Sequence, residues 1–196
     1  MHFILLFILM FFGCIHADAS VSPIAITVLP ALQFPAKEDT IAGSRLSLLW
    51  GEHTNVYGLD LGIIGNLTEK NLVGTSLAGV FNRAGTSTIL GAQLALGANL
   101  TKEDSTIVGV QMAGLFNGTS GYGHVFGLQA AVVGNFVAQM NIYGMQLGGF
   151  NRADKVYGIQ IGVINHAESL HGVQVGLINF HSHGFLPIFP FINVGL

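Results

Sequence analysis

The sequence predicts an all-β protein: an antiparallel up-and-down meander of about ten to twelve strands, closed into a small outer-membrane-type β-barrel. Three observations predict it. One short motif recurs eight times between Gly58 and Asn179, and such a repeat marks modules that bury their faces only against their neighbours. Within each copy the side chains alternate with a period of two, as strands do. Charged residues make up only 9% of the chain and hydrophobic ones 51%, where a soluble domain carries about 25% charged residues. That deficit points to a lipid-facing surface or to an unusually self-buried repeat.

The chain opens with a nearly unbroken apolar run, Phe3 to Phe12. A bilayer-spanning helix needs about 20 residues, so the run is too short. Ala17-Asp18-Ala19 then offers a small-x-small cleavage pattern. Together they predict a signal peptide over residues 1–19 and a single β-repeat domain over residues 20–196. Cys14 is the only cysteine, so the mature chain has no disulfide framework. In a rival lipoprotein reading, with Phe11-Phe12-Gly13 before it, Cys14 is the lipidation candidate. Both readings export the chain, to the outer membrane or cell surface.

Ile24 to Leu29 forms an apolar stretch among Pro23, Pro30 and Pro35, and Ser44 to Trp50 reads as a strand with Leu46, Leu48 and Trp50 on one face. The repeat core covers residues 56–180. Its units begin at Gly58, Gly74, Gly91, Gly109, Gly127, Gly144, Gly158 and Gly172, at intervals of 14 to 18 residues. Each closes on Asn, at Asn66, Asn82, Asn99, Asn117, Asn135, Asn151, Asn165 and Asn179. Gln93, Gln111, Gln129, Gln146, Gln160 and Gln174 hold the third position, which Asp60 and Ser76 take in the first two units. In the unit at Gly158, Tyr157, Ile159, Ile161 and Val163 share one face, and Gly158, Gln160 and Gly162 share the other. Glycine at this frequency in a helix costs about 1 kcal/mol each, which favours strands.

A polar stretch such as Arg152 to Lys155 follows each Asn and reads as a turn. Strands of about 9–11 residues suit a tilted membrane crossing. In the expected barrel the apolar face meets lipid. The glutamines line a narrow lumen as a structural ladder. Tyr57, Phe126, Tyr143 and Tyr157 alternate between the two rims. The alternatives are an open β-sheet repeat, with the prolines at both ends, Pro187 and Pro190 among them, marking protected edges, or a parallel β-solenoid. In that solenoid the Val/Ile/Leu face stacks inward and the glutamines form ladders outside. Varying intervals argue against stacked coils, because hairpin turns absorb them more easily.

Chemistry finds little footing. There is no nucleophile elbow, phosphate loop or dinucleotide fingerprint, so no catalytic residue, cofactor or small-molecule substrate is assigned. A net charge of −3 gives no electrostatic basis for nucleic acid. Outer-membrane lipid is the expected partner. The acidic residues Glu69, Glu103, Asp104, Asp154 and Glu168 fall in predicted turns. Asp60 lies inside a strand, where Arg45 could satisfy it. His166, His171, His181 and His183 gather near the C-terminus without a metal-specific spacing, so no metal site is assigned. Asn66, Asn99 and Asn117 begin sequons, which turn chemistry already explains.

The run Val156 to Asn165 and its copies resemble bacterial surface-repeat proteins, exported proteins built from Gly-Leu-Gln-Ile-Gly-Leu-x-Asn-type units. The resemblance covers Val56 to about Phe180. It implies surface location and no activity. The expected function is that of a structural, non-catalytic outer-membrane protein with a surface-interaction role; the alternative is a secreted or lipid-anchored binding protein or adhesin.

Overall fold

A computed structural model describes residues 19–85, 88–102 and 104–196. Residues 1–18, which hold most of the predicted signal peptide and Cys14, and Glu103, expected from the sequence in a turn, lie outside the described residues. The described chain is β throughout, without a helix. Its strands are β1 (Val21–Leu29), β2 (Leu32–Phe34), β3 (Thr40–Ser47), β4 (Trp50–Gly62), β5 (Gly65–Ala78), β6 (Phe81–Ala84) and β7 (Thr88–Ala95). They continue as β8 (Ala98–Thr101), β9 (Ser105–Ala113), β10 (Phe116–Thr119), β11 (Gly123–Val137), β12 (Met140–His181) and β13 (Ile188–Gly195).

The architecture is a β-solenoid and not a barrel. From β3 to β12 every pairing between strands is parallel, and each glycine opening a unit sits on the one before it: Gly43 on Gly58, Gly74, Gly91, Gly109, Gly127 and Gly144 in turn. Parallel register between successive copies is what a coil produces. An antiparallel meander would have reversed alternate units. The palindromic core Gly-x-Gln-x-Gly pairs in either direction, so it does not distinguish the two.

Each coil holds two strand segments instead of one. The first carries the glycine and glutamine. The second is centred on the Asn, as in β6, β8 and β10, whose asparagines pair in register at Asn82, Asn99 and Asn117. The Asn is therefore a strand residue and does not enter a turn. The length variation has one main location. Gly91 to Asn99 and Gly127 to Asn135 both advance eight positions, whereas Asn99 to Gly109 advances ten and Asn165 to Gly172 seven. The stacked segments keep their register; the corner after the Asn segment absorbs most of the difference and the corner between the segments one residue of it, between Ala131 and Gly134, so unequal intervals do not disturb the coils. Where that corner is shortest, β12 runs through three coils without a break.

Side-chain facing also reverses the solenoid alternative. The glutamines and asparagines point inward, and the Val/Ile/Leu positions of the first segment point out: Gln160 and Asn165 are fully buried while Ile161 and Val163 are exposed. The interior has four columns. One is apolar and runs through Ile41, Val56, Leu72, Ile89, Ile107, Val125, Ile142, Val156 and Leu170. The second is Gln, the third Asn, and the fourth small or short, including Thr68, Ala84, Thr101, Thr119, Val137, Ala153 and Ala167. The glycine column has a steric cause. Gly91 has φ of +134°, and a Cβ there would overlap the carbonyl oxygen of Gly74 in the preceding coil. The other register glycines repeat this geometry.

The ends differ from the middle. At the N-terminal end β1 pairs parallel with β3 and antiparallel with the short β2. At the other end β13 folds back antiparallel on the last coil, from Gly172–Gly195 to Phe180–Ile188. Pro23 in β1 and Pro190 in β13 thus occupy the terminal strands, where a missing ladder donor is tolerated.

Candidate functional site

The repeat's polar residues assemble into two continuous amide stacks. In the Gln column the Nε2 of each residue donates to the Oε1 of the one before it: Gln111 to Gln93 at 2.7 Å, Gln129 to Gln111 at 2.8 Å, Gln146 to Gln129 at 3.0 Å, and Gln160 to Gln146 and Gln174 to Gln160 at 2.7 Å. In the Asn column the direction is opposite. Asn66 donates to Asn82, and the chain continues through Asn99, Asn117, Asn135, Asn151 and Asn165 to Asn179, at 2.8 to 3.1 Å. The two stacks therefore carry opposed dipoles through one narrow interior. Aligned amides polarise one another, and a low local dielectric strengthens each bond.

Each Asn has a second task. Its other N–H donates to a backbone carbonyl at the end of the next coil's first segment, such as Leu94 from Asn82, Met112 from Asn99 and Ala130 from Asn117, at 2.9 to 3.0 Å. This ties the corner where the chain leaves the first segment. The stacks end in specific partners. Asn193 on β13 donates to Gln174 Oε1, and Asn179 donates to the Phe189 carbonyl, both at 3.2 Å.

Toward the N-terminal end the Gln column becomes ionic. Ser76, Asp60 and Arg45 occupy the same register position in successive coils. Arg45 donates from Nε and Nη2 to the two carboxylate oxygens of Asp60 at 2.7 Å, with both side chains fully buried. Ser76 donates to Asp60 at 2.9 Å. The Gln N–H groups all point toward this end, so a carboxylate lies at the positive end of the amide stack. Arg45 makes Gly43 the start of a ninth unit that the sequence reading missed. Its lysine-poor, glutamine-free stretch Gly43 to Ser47 keeps only the glycine and the alternation, and its Asn position is Gly51, paired with Asn66. A glycine 15 positions before Gly58 was the available signal.

His53 completes this cluster, 3.3 Å from Arg45 Nη1 and fully buried. Burial, and after it the Arg45 charge, hold its ring at a pKa of about 4. With no opening to solvent, these groups have no access for a substrate.

The remaining sequence candidates separate. Asn66, Asn99 and Asn117 are at most 2% exposed and bonded through their amides, so the folded chain cannot carry glycans there. Phe126, Tyr143, Tyr157 and His171 stack in one column at 4.7 to 4.8 Å instead of alternating between rims. His181 accepts the Leu170 backbone N–H through Nε2 at 3.1 Å; burial, then His183 and His171, lower its pKa. Among the described residues no three His, Cys, Asp or Glu side chains are grouped to hold a metal ion.

One surface feature was not foreseen. A furrow of about 790 Å³ runs along the first segments, floored by small residues such as Ala78, Ala95 and Ala113 and walled by Leu77, Leu94 and Leu96. No family model, curated protein or solved structure matches this chain.

Proposed function

We propose that this chain is an exported, non-catalytic structural protein of the bacterial outer membrane or cell surface, acting through the outside of its solenoid. The observation that carries this reading is the inward turn of the repeat's polar chemistry. Six glutamines and eight asparagines are buried in amide stacks, and the buried Arg45–Asp60 ion pair is sealed among them. What remains for partners is surface shape, apolar area and a charged edge. The resemblance of the repeat to surface-repeat proteins and the leader-like first 19 residues support export. The test is localisation in the native host, by fractionation and protease shaving of intact cells with an antibody to residues 20–196. Recovery with the membrane or surface fraction, and cleavage by external protease, are expected. Recovery in the cytosol with the leader still attached would overturn the reading.

A further inference from the structure

Charge is sorted around the solenoid with unusual strictness. From each unit's glycine to its Asn, across nine coils, the only Lys, Arg, Asp or Glu are Arg45 and Asp60, and these are buried against each other. The other charges of the described chain lie in the opposite arc, at positions such as Glu69, Lys70, Arg83, Asp104, Lys155 and Glu168. One flank therefore presents no exposed charge over its whole length. Neighbouring strands lie about 4.8 Å apart, so nine coils extend it to roughly 40 Å. A continuous uncharged strip of this length, lined by exposed apolar side chains, is the kind of surface that marks an interaction site.

Three further features select what covers it. The strands of the flank are hydrogen-bonded on both sides within the stack, so hydrocarbon would find no row of unsatisfied backbone groups. The furrow makes the flank concave, with Leu96 and Val132, at 77% and 76% exposure, rising beside its alanine floor. Two such concave faces pressed together would enclose a void, which close packing disfavours, whereas fluid acyl chains fill it. Finally, the aromatic column Phe126, Tyr143 and Tyr157 runs along the border between the charged arc and the apolar flank, the place amphipathic rings take at a membrane interface.

We propose that the solenoid lies on its side on a lipid bilayer, with the uncharged flank and its furrow bedded in acyl chains and the charged arc turned to water. This deepens the surface reading and rests on it for the membrane concerned. It can still fail alone, since binding is measured on purified protein and localisation on cells.

The experiment is flotation of residues 20–196 with neutral phosphatidylcholine vesicles. Most of the protein should float, and 1 M salt should not release it, because the contact is apolar. The variants Leu96→Lys and Val132→Lys place charge on exposed flank positions and should each lower the floating fraction at least tenfold. Their β-type circular dichroism and melting temperature should be unchanged. A Lys70→Glu control on the charged arc should float as the parent does. A parent chain that stays with the aqueous phase as a dimer would overturn the proposal in favour of a second copy on the flank. Flotation that survives both flank variants, or disappears in salt, would also overturn it.

Discussion

Arg45 and Asp60 stand one coil apart in the column that glutamine fills elsewhere, joined by a two-pronged ion pair at 2.7 Å on each prong. Removing one partner leaves a buried charge uncompensated, at a cost of about 3–5 kcal/mol. Arg45→Ala should therefore lower the urea midpoint sharply. The double variant Arg45→Gln with Asp60→Gln should recover most of the loss, because it replaces two charges by the side chain the column already stacks. A single variant as stable as the parent would show that the pair is not held as described.

The amide stacks predict an asymmetry between polar and apolar substitutions. Gln129→Leu keeps the volume but leaves Gln111 Oε1 without its donor and the Gln146 amide without its acceptor. Each orphaned buried group costs about 1–3 kcal/mol, so a loss of roughly 2–6 kcal/mol is expected in equilibrium denaturation. Thr75→Ala, on the outer face, should stay within about 0.5 kcal/mol.

Gly91→Ala tests the glycine column. Alanine there meets both a φ of +134° and the Gly74 carbonyl oxygen. Backbone strain and overlap together should cost more than about 3 kcal/mol. A thermal melt within a few degrees of the parent would refute the close approach of successive coils.

His53 makes the N-terminal end acid-sensitive. Its ring protonates only near pH 4 in the folded chain, against an ordinary 6.5, with Arg45, Asp60 and Asp39 as the charged groups around it. The unfolded chain binds more protons between these values, so stability falls as the pH drops from 6.5 toward 4. The loss is on the order of 2–3 kcal/mol. His181, also lowered, acts in the same direction. His53→Asn should flatten the melting temperature between pH 6.5 and 5; an unchanged slope would exclude His53 as its source.

The period of two and the sharing of one face by glycine and glutamine were legible in the sequence, because both follow from alternation within six or seven residues. Asp60 in a Gln position called for a polar partner, and Arg45 was one candidate; that it is the partner came from the structure. Strand direction was not legible. The Gly-x-Gln-x-Gly core reads alike from either side. The Asn that closes every copy does give the unit a direction, but the unequal intervals outweighed that signal, and only the register between distant copies fixes it. The second segment was hidden for another reason. Ala98 to Thr101 is too short to show a period, and an Asn followed by polar residues looks like a turn. Which face is inside was misjudged for the solenoid because apolar burial usually dominates. Here a stack of amides that satisfy one another removes the cost of putting polar groups in the middle.

The elastic corner after each Asn means that copy number, and not sequence novelty, can set the dimensions of this molecule. A unit spliced in or out at its glycine meets neighbours with the same column positions, so growth needs no redesign of the interior. Each added copy would lengthen the rod by about 4.8 Å and widen its uncharged footprint in proportion. Recombination between near-identical stretches, such as those at Gly158 and Gly172, would then act as a ruler, tuning reach and grip in steps of one coil.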